Sequence, residues 1–109
     1  MTLVKEIGMR IKSIKILGKI FTVTYLHPQH DLLDCGNCGG KCHLPSTRMY
    51  IADDLNTQMH QEVVLHEMIH ALSYSMSLDF DEATVMRLGE GLLCVFKSNP
   101  KLLQLLQEK

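Results

Sequence analysis

Two histidines four residues apart, His66 and His70, with Glu67 between them, constrain this chain more than any other feature of its sequence. On an α-helix, residues four apart lie on one face, so the two imidazoles stand side by side. That spacing suits two ligands of a tetrahedral zinc ion. Glu67 lies next to His66, where it can take a proton from a water on such a metal. The surrounding residues agree with a buried helix, because Val63, Val64, Leu65, Met68, Ile69 and Leu72 are apolar over a wide arc. Burying two imidazoles among them without a partner would be costly, which is a further argument for a metal.

The flanks of the motif set the helix bounds. Asp53-Asp54-Leu55-Asn56-Thr57 offers short polar caps, and the helix is predicted from about Thr57 to Ser75. Asp79 or Asp81 caps a second helix from about Glu82 to Lys97. Ser98-Asn99-Pro100 ends it and opens a short terminal helix with proline at its first position. Upstream, Ser13 to Leu26 reads as a β-hairpin turning at Gly18-Lys19, with alternation clearest in Phe21-Thr22-Val23-Thr24-Tyr25. His27-Pro28 ends that strand, residues 29–47 read as a loop, and Thr47 to Ala52 is a short strand. The expected fold is α+β: a small antiparallel sheet of about three strands packed on the motif helix and a second, C-terminal helix. At 109 residues, one domain over 1–109 is the expectation, lean enough for a metal to help hold it together.

Composition removes several functions. An apolar fraction of 46% and a charged fraction of 21% are those of an ordinary globular protein. A formal net charge of −1 gives no electrostatic case for nucleic acid or a membrane surface. No apolar run is long enough to span a bilayer, and Met1 to Arg10, with Glu6, does not read as a signal peptide. The expected location is cytoplasmic. There thiols stay reduced, and four cysteines favour free thiols or metal ligands over disulfides.

Zinc requires at least one more protein ligand. Asp79, Asp81, Glu82 and Glu90 all follow the motif, and in a helical hairpin Glu82 and Glu90 fall at comparable axial distances from His70. Helix geometry does not choose between them, and Glu82 also suits a carboxylate complementing the helix dipole. A second site is offered by Cys35-Gly36-Asn37-Cys38-Gly39-Gly40-Lys41-Cys42-His43. Cys35 and Cys38 form a knuckle spacing, and Cys42 with His43, His27 or His30 would complete a second metal site. An inert loop is the competing reading. A redox dithiol fits less well, since no helix is predicted to begin at Cys38. Cys94, among Leu92, Leu93, Val95 and Phe96, is expected to be a core thiol. His60 is expected to be solvated, and Tyr74 to pack rather than to donate to an oxyanion.

His66-Glu67-Met68-Ile69-His70-Ala71-Leu72, followed by Glu82-Ala83-Thr84-Val85-Met86-Arg87-Leu88-Gly89-Glu90-Gly91-Leu92 and Asn99-Pro100, resembles a group of small phage and bacterial zincin proteins. These are similar to the ImmA/IrrE-like and SprT-like metallopeptidase domains. The resemblance runs from about Ile14 to the C-terminus, with the HExxH motif as its one sharp element. It implies a minimal gluzincin whose zinc ligands are His66, His70 and Glu82, with Glu67 as general base. Gly89 and Gly91 would allow a close approach of the second helix to the first. The function so implied is zinc-dependent hydrolysis of a peptide or protein substrate. The competing expectation is a non-enzymatic binding or regulatory protein of phage or bacterial origin, stabilised by zinc.

Overall fold

In the computed structural model, which describes residues 9–33 and 39–109, the chain runs through four strands and then three helices. Strands β1 (Ser13–Ile16) and β2 (Lys19–Leu26) form an antiparallel hairpin in which Ile14 lies opposite Phe21 and Ile16 opposite Lys19. The turn is centred on Leu17 and Gly18, with φ of 50° and 86°. Two positive φ angles match the twist of the flanking strands. The turn therefore sits one residue earlier than expected, and Lys19 is already in β2. This register keeps Phe21 and Val23 on the buried face and Thr22 and Thr24 in solvent.

The sheet has four strands rather than three and is mixed rather than antiparallel, in the order β1-β2-β4-β3. Strand β4 (Arg48–Ala52) pairs parallel with β2, placing Val23 opposite Met49 and Tyr25 opposite Ile51. Its other side pairs antiparallel with β3 (Gly40–His43), where Cys42 lies opposite Met49. The chain thus runs up, down and up, but β4 inserts between its two predecessors. β3 falls within the stretch 29–47 that reads as a loop. Gly-Lys-Cys-His has little intrinsic strand preference, and its pairing to β4 makes it a strand.

Val23, Met49, Ile51 and Ala52 form the main core with Leu33 and Leu55, and Ile16, Phe21 and Ala71 form a second cluster. Leu33 is turned inward by two successive backbone bonds, His30 N–H to His27 O and Leu33 N–H to His30 O. Helix α1 (Thr57–Ser75) covers β3 and β4 and is capped by Asn56, whose Oδ1 accepts from Met59 N–H at 2.8 Å. Helix α2 (Glu82–Ser98) is capped by Asp81, whose Oδ1 accepts from Thr84 N–H at 2.8 Å. Hydrogen bonding from the Thr84 side chain, and then from its backbone N–H, holds the Asp81 carboxyl below its usual range. Glu82 meets His70, Gly89 faces His66 and Lys97 donates to Gln61, so α2 returns antiparallel along α1. Helix α3 (Pro100–Gln107) packs against α2 and buries no residue. No helix among the described residues is long and apolar enough to cross a membrane.

Two expectations about single residues are reversed. His60 is not solvated: it is 7% exposed, and its Nε2 lies 2.8 Å from the Tyr25 hydroxyl. Burial, with Arg10 nearby, pushes its pKa down, and the hydrogen bond between the ring and the Tyr25 hydroxyl ties α1 to β2. Cys94 is exposed rather than in the core, because the inward face of α2 is taken by Val85 and Gly89.

The glycines at the start of β3, Gly39 just before it and Gly40 its first residue, have a steric role. A Cβ on Gly40 would lie 2.6 Å from Val63 Cγ1 and 3.2 Å from Glu67 Cγ, and one on Gly39 would lie 2.8 Å from Val63 Cγ2. Their absence of side chains lets the strand backbone rest directly on the motif helix. Gly40→Ala is expected to destabilise the protein by about 1–3 kcal/mol, the cost of overpacking a stiff β-branched neighbour. Gly89 sits against His66 as the close-approach argument requires, but Gly91 faces open space. Gly91→Ala should therefore stabilise by about 0.5–1 kcal/mol through helix propensity. Urea midpoints of the two variants, moving in opposite directions, check both statements.

Candidate metal centre and cleft

The α1–α2 connection determines what faces the motif histidines. Ser73, buried in the last turns of α1, accepts from Phe80 N–H through Oγ at 2.8 Å, and its carbonyl accepts from Leu78 N–H at 2.9 Å. Ser77 and Asp79 take φ of 56° and 57°, which folds the chain back within a few residues. Asp81 then caps α2, and Glu82, its first residue, is delivered to the motif face.

The result is a three-residue cluster. His66 Nε2 lies 2.8 Å from Glu82 Oε2, and His70 Nε2 lies 2.9 Å from Glu82 Oε1. The two rings are 4.9 Å apart at 67°. One ligand atom from each of the three residues falls within 4.8 Å of the other two. Two imidazole nitrogens and a carboxylate oxygen are a donor set that zinc accepts, and it leaves one tetrahedral position for a non-protein group. The residues present therefore fit a zinc ion. Glu90, the other carboxylate left open by the sequence, lies two turns further along α2 and is not in the cluster. Asp79 and Asp81 stay in the connection and cap.

Glu67 is 7% exposed and has no hydrogen-bond partner among the described residues. Burial, and then the charge of Glu82, pushes its carboxyl up to about 7. It opens onto a cleft of 560 Å³ bounded by β3 on one side and by α1 and α2 on the other. The size is that of a small-ligand or peptide site. From α1 the lining includes Glu62, His66 and His70, from α2 Glu82, Met86 and Glu90, and from β3 Gly40, Lys41 and Cys42. Each helical set is spaced by four, so each is one stripe on its helix.

The β3 wall was not identified in the sequence as part of this site. The usable signal was Gly39-Gly40 immediately before a residue pair that could pair in a sheet, since glycine there marks a close backbone approach. Cys42 is half-buried on that wall, and burial, with Glu67 beside it, pushes its thiol up to about 12. His43 is exposed, and its Nδ1 lies 2.6 Å from Ser46 Oγ. As neighbours on a strand, the two side chains leave on opposite faces. Cys35 and Cys38 lie outside the described residues, as does the knuckle they would form. His27 and His30 each accept from a backbone N–H two residues on. Tyr74 is 54% exposed rather than packed.

Comparison with protein-family models, with curated proteins and with solved structures returned no match to this chain.

Proposed function

We propose that this protein is a zinc-dependent peptide hydrolase, with His66, His70 and Glu82 as metal ligands and Glu67 as general base. The observation that carries the reading is the convergence of the three donors within 4.8 Å beside a buried, unpartnered carboxylate on an open cleft. A zinc ion held there would supply Lewis-acid polarisation of a water and of a substrate carbonyl. Glu67 would receive the proton released as the water attacks and pass it on to the leaving amine, since its carboxylate opens onto the cleft beside His66. Cleavage thus adds a hydroxyl to the acyl carbon and a proton to the nitrogen of the broken amide bond.

A peptide substrate is supported by the sheet. β3 is one of the two edge strands in the order β1-β2-β4-β3, and it runs along the cleft wall. An extended segment added to such an edge would gain main-chain hydrogen bonds and pass in front of Glu67.

The test is zinc content and hydrolysis on the same sample, purified without chelator or nickel. Close to one zinc per chain is expected from the three-residue centre, with cleavage of a mixed peptide library that stops on chelation and returns with zinc. His66→Ala should lose both together. Zinc retained at one per chain without any cleavage would transfer the protein to the zinc-stabilised binding class. No zinc bound, even on addition, would remove the metal centre itself.

A further inference from the structure

The C-terminal part of the fold is apolar and uncovered. From Glu90 to Gln107 every residue is exposed or half-buried, although leucine, valine and phenylalanine recur through the stretch. Only the first half of α2 carries buried residues, Val85 and Gly89. Helix α3 touches α2 alone among the elements of the fold and buries nothing. On it Leu103, Leu105 and Leu106 are 40%, 60% and 64% exposed, and on α2 Val95 is 45% exposed. Single apolar residues in solvent are ordinary, whereas a set of them on two touching helices marks an interaction surface. A helix of eight residues is also too short to persist in water on propensity alone, so α3 depends on packing that this chain supplies only in part.

Leu102, Leu103, Leu105 and Leu106 fall within an arc of about 160° around α3, and Gln104 and Gln107 hold the opposite side. The charges stand at the two ends, Lys101 in the first turn and Glu108 at the C-cap, about 10 Å apart along the axis. The backbone at Glu108 is extended, with φ of −69° and ψ of 146°, so Lys109 leaves the line of the helix. Neither Lys101 nor Glu108 forms an ion pair with another described residue. Their order opposes the helix dipole, which favours an acid at the N-terminus and a base at the C-terminus. Folding of the single chain therefore gives no reason for these two charges. An antiparallel neighbour does, because it brings an acid to Lys101 and a base to Glu108.

We propose that this face is the interface of a two-fold homodimer in which α3 packs antiparallel on the α3 of a second copy. A two-fold axis crossing the helix between Gln104 and Leu105 sets Leu103 level with the partner's Leu106 and Lys101 level with the partner's Glu108. The interface is isologous, so every contact occurs twice. Parallel pairing would stack like charges at both ends. An anionic membrane fits the face less well, since α3 offers one lysine and an offsetting acid rather than a basic excess. The helix is about 12 Å long and about 10 Å across, and the end of α2 adds a strip of similar size. That falls short of the roughly 800 Å² per partner of a standard stable interface. The dimer is accordingly weak and reversible, with a dissociation constant on the order of 10–100 μM.

Sedimentation equilibrium of the full chain from about 1 to about 500 μM should show the mass rising from one chain to two, with a midpoint in the tens of micromolar. Leu105→Gln combined with Leu106→Gln should weaken association about tenfold or more, the scale of withdrawing one leucine from an apolar contact. Its urea midpoint, measured at about 1 μM where both proteins are monomeric, should match that of wild type. Lys101→Glu or Glu108→Lys alone should each weaken the dimer about fivefold, because both copies of the pair turn repulsive. The two together exchange the charges and should restore wild-type association to within about twofold. A chain that stays monomeric throughout, a dimer indifferent to the leucine changes, or single charge substitutions without effect or without rescue in the exchange would each overturn the proposal. A monomer that instead sediments with phosphatidylglycerol vesicles would overturn it too, and would give the face to a membrane.

Discussion

Glu67→Gln is expected to keep zinc at one per chain and to lower kcat/KM for peptide cleavage by about 10²–10⁴-fold, the usual contribution of a positioned general base. The substitution is nearly isosteric and leaves His66, His70 and Glu82 in place, so metal content is the internal control. The size of the effect follows from the surroundings of the carboxylate. It is 7% exposed, lines the cleft beside His66 and has no competing hydrogen bond among the described residues. No second described carboxylate of the cleft is buried: Glu82 is engaged by both imidazoles, Glu62 is only half-buried and Glu90 is exposed. Steady-state cleavage with zinc measured on the same preparations decides it. Full activity in Glu67→Gln would remove Glu67 from the chemistry, and loss of zinc together with activity would make its role structural.

The parts of this molecule that could be read from sequence are those governed by local rules. Helix α1 spans Thr57–Ser75 because an Asn56 cap precedes an unbroken run of apolar and helix-tolerant residues, all visible in one dimension. Helix α2 starts at Glu82 for the same reason, with Asp81 as its cap. What escaped was set by pairing across the chain. Gly40–His43 becomes a strand only because β4 offers it a ladder, and β4 runs parallel to β2 because β3, antiparallel to β4, carries the chain back between them. The same tertiary step decides between Glu82 and Glu90 as neighbours of the histidine pair. Axial distance does not separate them, whereas the tight connection held by Ser73 brings the first residue of α2 onto the imidazoles. His60 escaped for a related reason. Its hydrogen-bond partner Tyr25 lies on β2, 35 residues earlier in the chain, so nothing local to the helix announces its burial.

Metal removal should convert Glu67 into a pH-dependent weakness of the fold. Burial first, and Glu82 second, raise its pKa from 4.5 to about 7 in the metal-free protein. A raised carboxyl pKa means that the native state holds a proton that the unfolded chain has already released. Stability therefore falls as pH rises from about 4.5 to about 7, and stays low above it. At 1.36 kcal/mol per unit, the loss is about 3 kcal/mol, a large share of the roughly 5–15 kcal/mol that holds a domain together. His60 works in the opposite sense. Its lowered pKa costs stability as pH falls below 6.5, so the wild-type profile alone mixes two slopes. The difference between wild type and Glu67→Gln, both in chelator, isolates the carboxylate. Urea unfolding at pH 5 and pH 8 should show wild type losing about 2–3 kcal/mol relative to the variant across that interval. Zinc should erase most of that difference, because a cation at His66, His70 and Glu82 favours the ionised form of the neighbouring carboxylate. Parallel profiles for the two proteins in chelator would mean that Glu67 reaches water in the native state, and the buried base would have to be abandoned.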